Sequence, residues 1–334
     1  MNKYESLLNR GGLSLDRLRN FALIAQAGGL SRAAGGDATR MSLFSKQVKE
    51  LEGFFGVALT WRQGRIVKLT EAGQRLAQLA QAQLSGLEDF QQTCQGLPQT
   101  ISLGAGNSLV EWLVMPQVAK LRQALPNTRF EFYDGRTEDL VRQLTDMSLD
   151  LALVREDAVV RPLKSKRLTL LTFSLFLPKR LAATIREDNL KAAMGELPLA
   201  TSVGGQFREQ LTSSANKAGW PLRIELSCST FTAAAQAVKT GAYGAALPSL
   251  AAARFAPGEV VQLPLPFLKS YARPIGVAWN PRLVEVRPMV EQAIKARHQA
   301  LAGGGALGLH SRGTLPSQPH DELRPKDGFA KSDR

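Results

Sequence analysis

Ser42, Ser45, Lys46 and Lys49 recur at three- and four-residue spacing within SLFSKQVKELE, residues 42–52. On a helix this spacing places them on one face. Phe44, Val48, Leu51 and Phe55 fall on the other side and predict a buried stripe. Hydroxyl and ammonium groups on a protruding helix can contact base edges and phosphates in a DNA major groove. Gln47 lies at the edge of the polar face, and Arg40 precedes it within reach of a phosphate. A merely solvated helix is the plain alternative, since Glu50 and Glu52 stand beside the lysines.

Little in the chain suits catalysis. The three histidines, His298, His310 and His320, gather near the C-terminus, which removes most of the material for imidazole acid–base chemistry and His-ligated metals. Cys94 and Cys228 lie far apart without motif spacing. GAGNS at 104–108 lacks both the dinucleotide-loop spacing and the Lys-Ser/Thr of a phosphate-binding loop. No nucleophile–base set is evident. The expectation is a protein that is not an enzyme and uses no metal or cofactor. Net charge is +13, with +6 in residues 1–75 and +8 in residues 96–301, which favours polyanionic partners. No apolar run approaches the roughly 20 residues of a membrane span, and the N-terminus lacks the features of a secretion signal. A cytoplasmic location without a membrane partner is therefore expected.

At 334 residues the chain is too long for one comfortable core. Residues 1–14 read as a flexible leader. A helix is predicted over 15–27, capped by Ser14, with Leu15, Leu18, Ala22 and Ala25 on its inner face. Gly28 and Gly29 end it. Ser31 can cap a short second helix carrying Ala33 and Ala34. The third helix runs from about Met41 to Phe54, closed by Gly56. Residues 57–70 give two extended pieces around a turn, a wing bearing Arg62, Arg65 and Lys68. Residues 15–69 thus have the shape of a winged helix-turn-helix.

Thr70 is placed to cap a long helix extending to about Gln95. Leu76, Ala80, Leu87, Phe90 and Cys94 recur along it at three-, four- or seven-residue spacing. Some 25 residues span roughly 37 Å, and so narrow a stripe predicts pairing with a second copy. Cys94 is read as packing in that interface, with redox sensitivity as the alternative should it be exposed. Gly96-Leu97-Pro98 reads as a hinge-like break.

From Thr100 strands and helices alternate, which implies parallel sheet with covering helices. Two α/β lobes separated by a cleft account for residues 97–300, with lobe I at about 97–165 and 268–300 and lobe II at about 166–267. Residues 301–334 have no period and are expected to be a disordered tail. Strand-to-helix loops at such a cleft suit anions, because helix starts present free N–H groups. Those loops carry Asn107 and Ser108, Arg136 and Thr137, Gln206 and Phe207, and Thr230 and Phe231. With the local positive charge this inventory fits a carboxylate-bearing metabolite. The plain readings are that Asn107 and Ser108 only cap a helix, Arg136 pairs with Asp134 or Glu138, and the two phenylalanines are core.

Residues 15–73 resemble the N-terminal domain of LysR-type transcriptional regulators. The resemblance is carried by Leu18 and Phe21 in the first helix, Ala33 and Ala34 in the second, Ser45 near the start of the recognition helix, Leu51-Glu52 and Gly56. Arg65, Ile66, Val67, Leu69, Thr70, Ala72 and Gly73 complete it. Departures are Asp37 where the family has leucine, Arg40 and Met41 where it has a small polar residue and glutamine, and Thr60 where it has phenylalanine. Asp37 must turn outward, cap the next element or pair with Arg40, because burying it unpaired would be costly.

The resemblance continues through a dimerising linker helix at 70–96 and a two-lobed effector-binding domain like periplasmic solute-binding proteins. It implies a sequence-specific regulator that binds double-stranded DNA, assembles as a homodimer or homotetramer, responds to a small molecule between the lobes and has RNA polymerase as a further partner. The competing reading is a cytoplasmic α/β solute-binding or catalytic protein whose N-terminal helices serve only for association.

Overall fold

The computed structural model describes residues 11–64, 66–185, 189–202 and 205–302. Arg65, most of the expected leader and the expected tail from 303 lie outside these residues.

The Ser14 hydroxyl accepts from the Arg17 backbone N–H and starts α1, Leu15–Gln26. The inner face is set by Phe21 and Ile24, each 1% exposed, whereas Leu15 is 59% exposed, contrary to the expected stripe. Leu15 is the first residue of the helix. α2, Leu30–Ala34, starts from Gly29, so Ser31 is inside the helix and does not cap it. α3, Ala38–Phe55, begins earlier than its apolar spacing suggests. The reason is Asp37, whose carboxylate accepts from the backbone N–H groups of Thr39 and Arg40 at 2.8 and 3.2 Å. The cap satisfies two of the N–H groups that a helix start leaves open.

Phe44, Val48 and Leu51 are buried as expected. Phe55 is exposed and packs edge-on to Phe54 at 4.9 Å instead, because Gly56 turns the chain out in a left-handed conformation at φ 68°. Strands β1, Thr60–Gln63, and β2, Ile66–Leu69, pair antiparallel as the wing.

Thr70 caps α4, Glu71–Cys94, by accepting from the Gly73 N–H at 3.0 Å. A Cβ at Gly73 would collide with the Leu59 carbonyl, so only glycine lets the helix sit this close to the wing. Leu76 and Ala77 complete the core formed by α1 and α3. Leu76 and Ala80 are thus buried within their own chain and are not free to face a second copy. Leu79, between them, is 57% exposed, and farther along Leu87 and Phe90 are 51% and 68% exposed; with exposed Cys94 these three form a stripe. The periodicity is continuous but its partner changes where the helix leaves the N-terminal unit.

Lobe I is a five-stranded sheet ordered β4-β3-β5-β12-β6, from Thr128–Asp134, Gln99–Ala105, Leu151–Arg155, Arg273–Trp279 and Lys164–Leu171. Lobe II is ordered β11-β7-β10-β8-β9, from Val260–Pro264, Phe173–Pro178, Gly244–Pro248, Leu199–Ser202 and Ile224–Cys228. β6 pairs with β12 along its whole length, so the chain enters lobe II at Thr172, later than the expected 165/166 boundary. The helical run from Asn107 to Ala124 is irregular around Pro116, which lacks the N–H a regular helix needs. It ends in α5, Val118–Ala124. The other covering helices that matter are α6, Thr137–Thr145, α7, Gly205–Lys217, α8, Phe231–Lys239, α9, Pro281–Val286, and α10, Pro288–Ala302.

The expected hinge at 96–98 is bridged by a buried ionic cluster. Arg287, between α9 and α10, donates to both oxygens of Asp89 on α4 at 2.7 and 3.0 Å. It also donates to Asp150, at the start of β5, and to the Thr100 carbonyl of β3 at 2.7 Å. Asp150 accepts in addition from the Ser102 backbone N–H and hydroxyl. All three charged side chains are over nine-tenths buried. Burial alone would lower the Arg287 pKa, but the two carboxylates outweigh it and hold it above its usual value. Gly86 lets α4 approach the Val286 carbonyl on the same side. The C-terminal end of α4 is therefore fastened to lobe I.

Candidate nucleic-acid interface and effector cleft

Ser42, Lys46 and Lys49 are exposed on α3, and Ser45 is half-buried beside them. With Met41 they form one wall of a groove of about 1100 Å³. The wing supplies the other wall through Arg62, Gly64 and Val67. Residues 28–32 close one end, and there Arg32 adds a cation that sequence reasoning missed. Its only sequence signal was a basic residue on the short second helix. Asp37 sets the start of α3 and the packing of Phe44, Val48 and Leu51 sets its rotation, so the four polar residues point into the groove.

Two of the expected contact residues do not line this groove. Gln47 accepts a hydrogen bond from the amide of buried Asn20 at 2.8 Å, which draws it to the flank against α1. Arg40 is exposed with its guanidinium 5.7 Å from the Phe44 ring centroid and does not line the groove. On the Gln47 flank, Glu50 is engaged by Arg17 at 2.5 Å. That contact takes one carboxylate away from the lysine face.

The second candidate site lies where the starts of helices from the two lobes oppose one another. In lobe I, Asn107 follows β3, Arg136 and Thr137 follow β4, and Arg155 ends β5. In lobe II, Gln206 starts α7 and Thr230 caps α8 by accepting from the Ala233 N–H at 3.1 Å. Among the described residues, three polar side-chain contacts cross the cleft. The Thr232 hydroxyl donates to Asn107 at 2.8 Å, Arg155 donates to Gln206, and Arg254 pairs with Glu111 at 3.2 Å.

Ser108 and Thr137 are half-buried at helix starts, and Arg136 is exposed at the N-cap of α6. Glu138 pairs with Arg155 at 2.8 Å. Phe207 is 4% exposed and stacks on Phe173 at 4.2 Å, so it is core and not an open wall. Half-buried Phe231 packs edge-on to it at 5.0 Å. Arg155, which ties the two lobes, was missed. Its signal was a cation at the end of a strand, with no local motif.

This architecture meets two family models. Residues 15–74 match the bacterial regulatory helix-turn-helix protein of the lysR family. Residues 95–298 match the LysR substrate binding domain. The chain belongs to the LysR-type transcriptional regulator family.

As a LysR-type regulator it is a sequence-specific DNA-binding protein with an effector-binding α/β domain, not an enzyme. It is similar to the HTH-type transcriptional regulator DgdR of Burkholderia cepacia, at 34% identity over 144 residues. That alignment covers 42% of this chain and spans about half of DgdR, 49% of its length. The regulator YybE of Bacillus subtilis is 24% identical over 269 residues, which cover 79% of this chain and 91% of YybE. Among solved structures, ArgP from Mycobacterium tuberculosis shares the fold with a TM-score of 0.63 at 18% identity, over 87% of this chain and 98% of that one. A full-length OxyR variant from Pseudomonas aeruginosa gives 0.56 at 21% identity, over 85% and 95%. Among the described residues of this LysR-type chain, no helix is long and apolar enough to cross a membrane.

Proposed function

We propose that this regulator reads duplex DNA through Ser42, Ser45, Lys46 and Lys49, with Arg62 and Arg65 of the wing on the flanking phosphates. Its output is set by a small anionic metabolite held between the lobes, and it works in the cytoplasm. The observation that carries the reading is the groove between α3 and the wing, into which the lysines and Arg62 project. A homodimer forms through the exposed stripe of Leu79, Leu87 and Phe90, and two dimers can associate as a tetramer. RNA polymerase is the partner through which bound protein acts on transcription.

A gel-shift titration of the full chain against duplex DNA from the intergenic region beside its own gene tests this reading. Lys46→Ala with Lys49→Ala should weaken binding. It should also flatten the slope of log affinity against log salt by about 1.8, because each phosphate that a lysine neutralises contributes roughly 0.9. Unchanged affinity and slope would remove the groove assignment.

A further inference from the structure

We propose that Met41 is a base-reading residue of α3, and that it selects a thymine through the thymine C5-methyl group. This rests on the reading that the groove between α3 and the wing takes duplex DNA, and it says which part of that groove carries sequence information.

Ala38, Met41, Ser42, Ser45, Lys46 and Lys49 line the groove from α3. Their spacing places them in one file along the helix. The file is graded. Its first members, Ala38 and Met41, are apolar, the serines occupy the middle, and both ammonium groups lie at the far end. Asp37 sets this grading, because its cap starts α3 at Ala38 and so brings Met41 inside the helix. About 12 Å of axial rise separates Met41 from Lys49, so one end of the file can touch base edges while the other reaches phosphates. A reading helix presents its N-terminal residues to the bases. That order gives the floor of the major groove to Met41 and the backbone to the lysines.

Met41 is 45% exposed. A single exposed apolar side chain is ordinary on a protein surface. This one faces a groove to which Leu30 and Val67 of the wing add further apolar surface. A thioether is a weak acceptor and no donor, so it cannot follow the donor and acceptor pattern by which base pairs differ. The apolar group that the bases show in the major groove is the thymine methyl. An unbranched, polarizable side chain with three rotatable bonds adapts well to such a target. The neighbouring alternative is Arg40, whose fork suits guanine. Its guanidinium instead lies 5.7 Å from the Phe44 ring centroid and does not line the groove.

The test starts with selection of bound duplexes from a randomised pool by the full chain. Each thymine of the enriched site is then replaced in turn by deoxyuridine, which removes the methyl group and keeps every hydrogen bond. Affinity is measured by gel shift. At one thymine position the replacement should weaken wild-type binding about fourfold, the effect of one buried methyl. Met41→Ala should bind the thymine duplex more weakly and should no longer distinguish uracil from thymine there. Met41→Gln should change the preference at that base pair from thymine to adenine, because a glutamine amide can bond both N6 and N7. Both variants should keep the wild-type thermal midpoint, since Met41 is exposed, which separates a lost preference from lost folding. A site with no methyl-sensitive thymine, or an undiminished uracil penalty in Met41→Ala, would overturn the assignment. Enrichment of a defined duplex whose binding is indifferent to Met41 sinks this inference alone. Failure to enrich any duplex sinks the DNA reading of the groove with it.

Discussion

Replacing Arg287 by methionine puts the join between α4 and lobe I to a quantitative test. The substitution keeps most of the side-chain length and removes four donated hydrogen bonds, two to Asp89 and one each to Asp150 and the Thr100 carbonyl. Asp89 and Asp150 then remain over nine-tenths buried without their cation. Removing one partner of such a pair costs about 3–5 kcal/mol, more than an ordinary surface ion pair is worth. Urea unfolding at neutral pH, followed by circular dichroism, should show a loss of that size. Amide hydrogen exchange should quicken selectively near Asp89 on α4. The deficit should also depend on pH. Burial already raises the Asp150 pKa, and the Arg287 charge opposes that rise. Without the arginine the folded-state pKa of Asp150 rises further above the unfolded value of about 3.9. Protonation then favours the folded variant, so its deficit should shrink as pH falls from 7 toward 4. A loss under 1 kcal/mol, or one that grows on acidification, would refute the reasoning.

Two smaller perturbations test other joints. Leu87→Asp places a charge at the centre of the exposed stripe of α4, and sedimentation should show a smaller assembly; the wild-type oligomer would exclude that stripe as an interface. Asp37→Ala removes the side-chain cap of α3 and should cost about 1 kcal/mol, read as a lower thermal midpoint of the N-terminal unit. No change there would mean the cap contributes nothing.

Much of this fold is written locally. Phe44, Val48 and Leu51 announce α3 by spacing, Ser14 and Thr70 announce caps, and Pro116 announces an irregular helix. The capping role was among the choices open for Asp37, since an aspartate before a helix has few other uses. What could not be read depends on long-range pairing. Arg287 meets partners 137 and 198 positions away, and Gln47 is drawn aside by an asparagine 27 positions earlier. Periodicity says that Leu76, Ala80, Leu87 and Phe90 share a stripe. It cannot say that the first two pack at home and the last two face outward. The cleft loops were found because helix starts follow strand ends. Arg155 was not, because its contacts with Glu138 and with Gln206 of the other lobe join residues far apart in the chain, which the linear order hides.

With one end of α4 set in the helix-turn-helix core and the other held by Arg287, the linker acts as a stiff lever. Its 24 residues measure about 36 Å at 1.5 Å each. A tilt of lobe I by roughly 5° would sweep the far end through about 3 Å over that length. That is close to the 3.4 Å or so that separates successive base pairs. A rotation too small to alter either lobe internally would thus shift the reading helix by nearly one step along its operator.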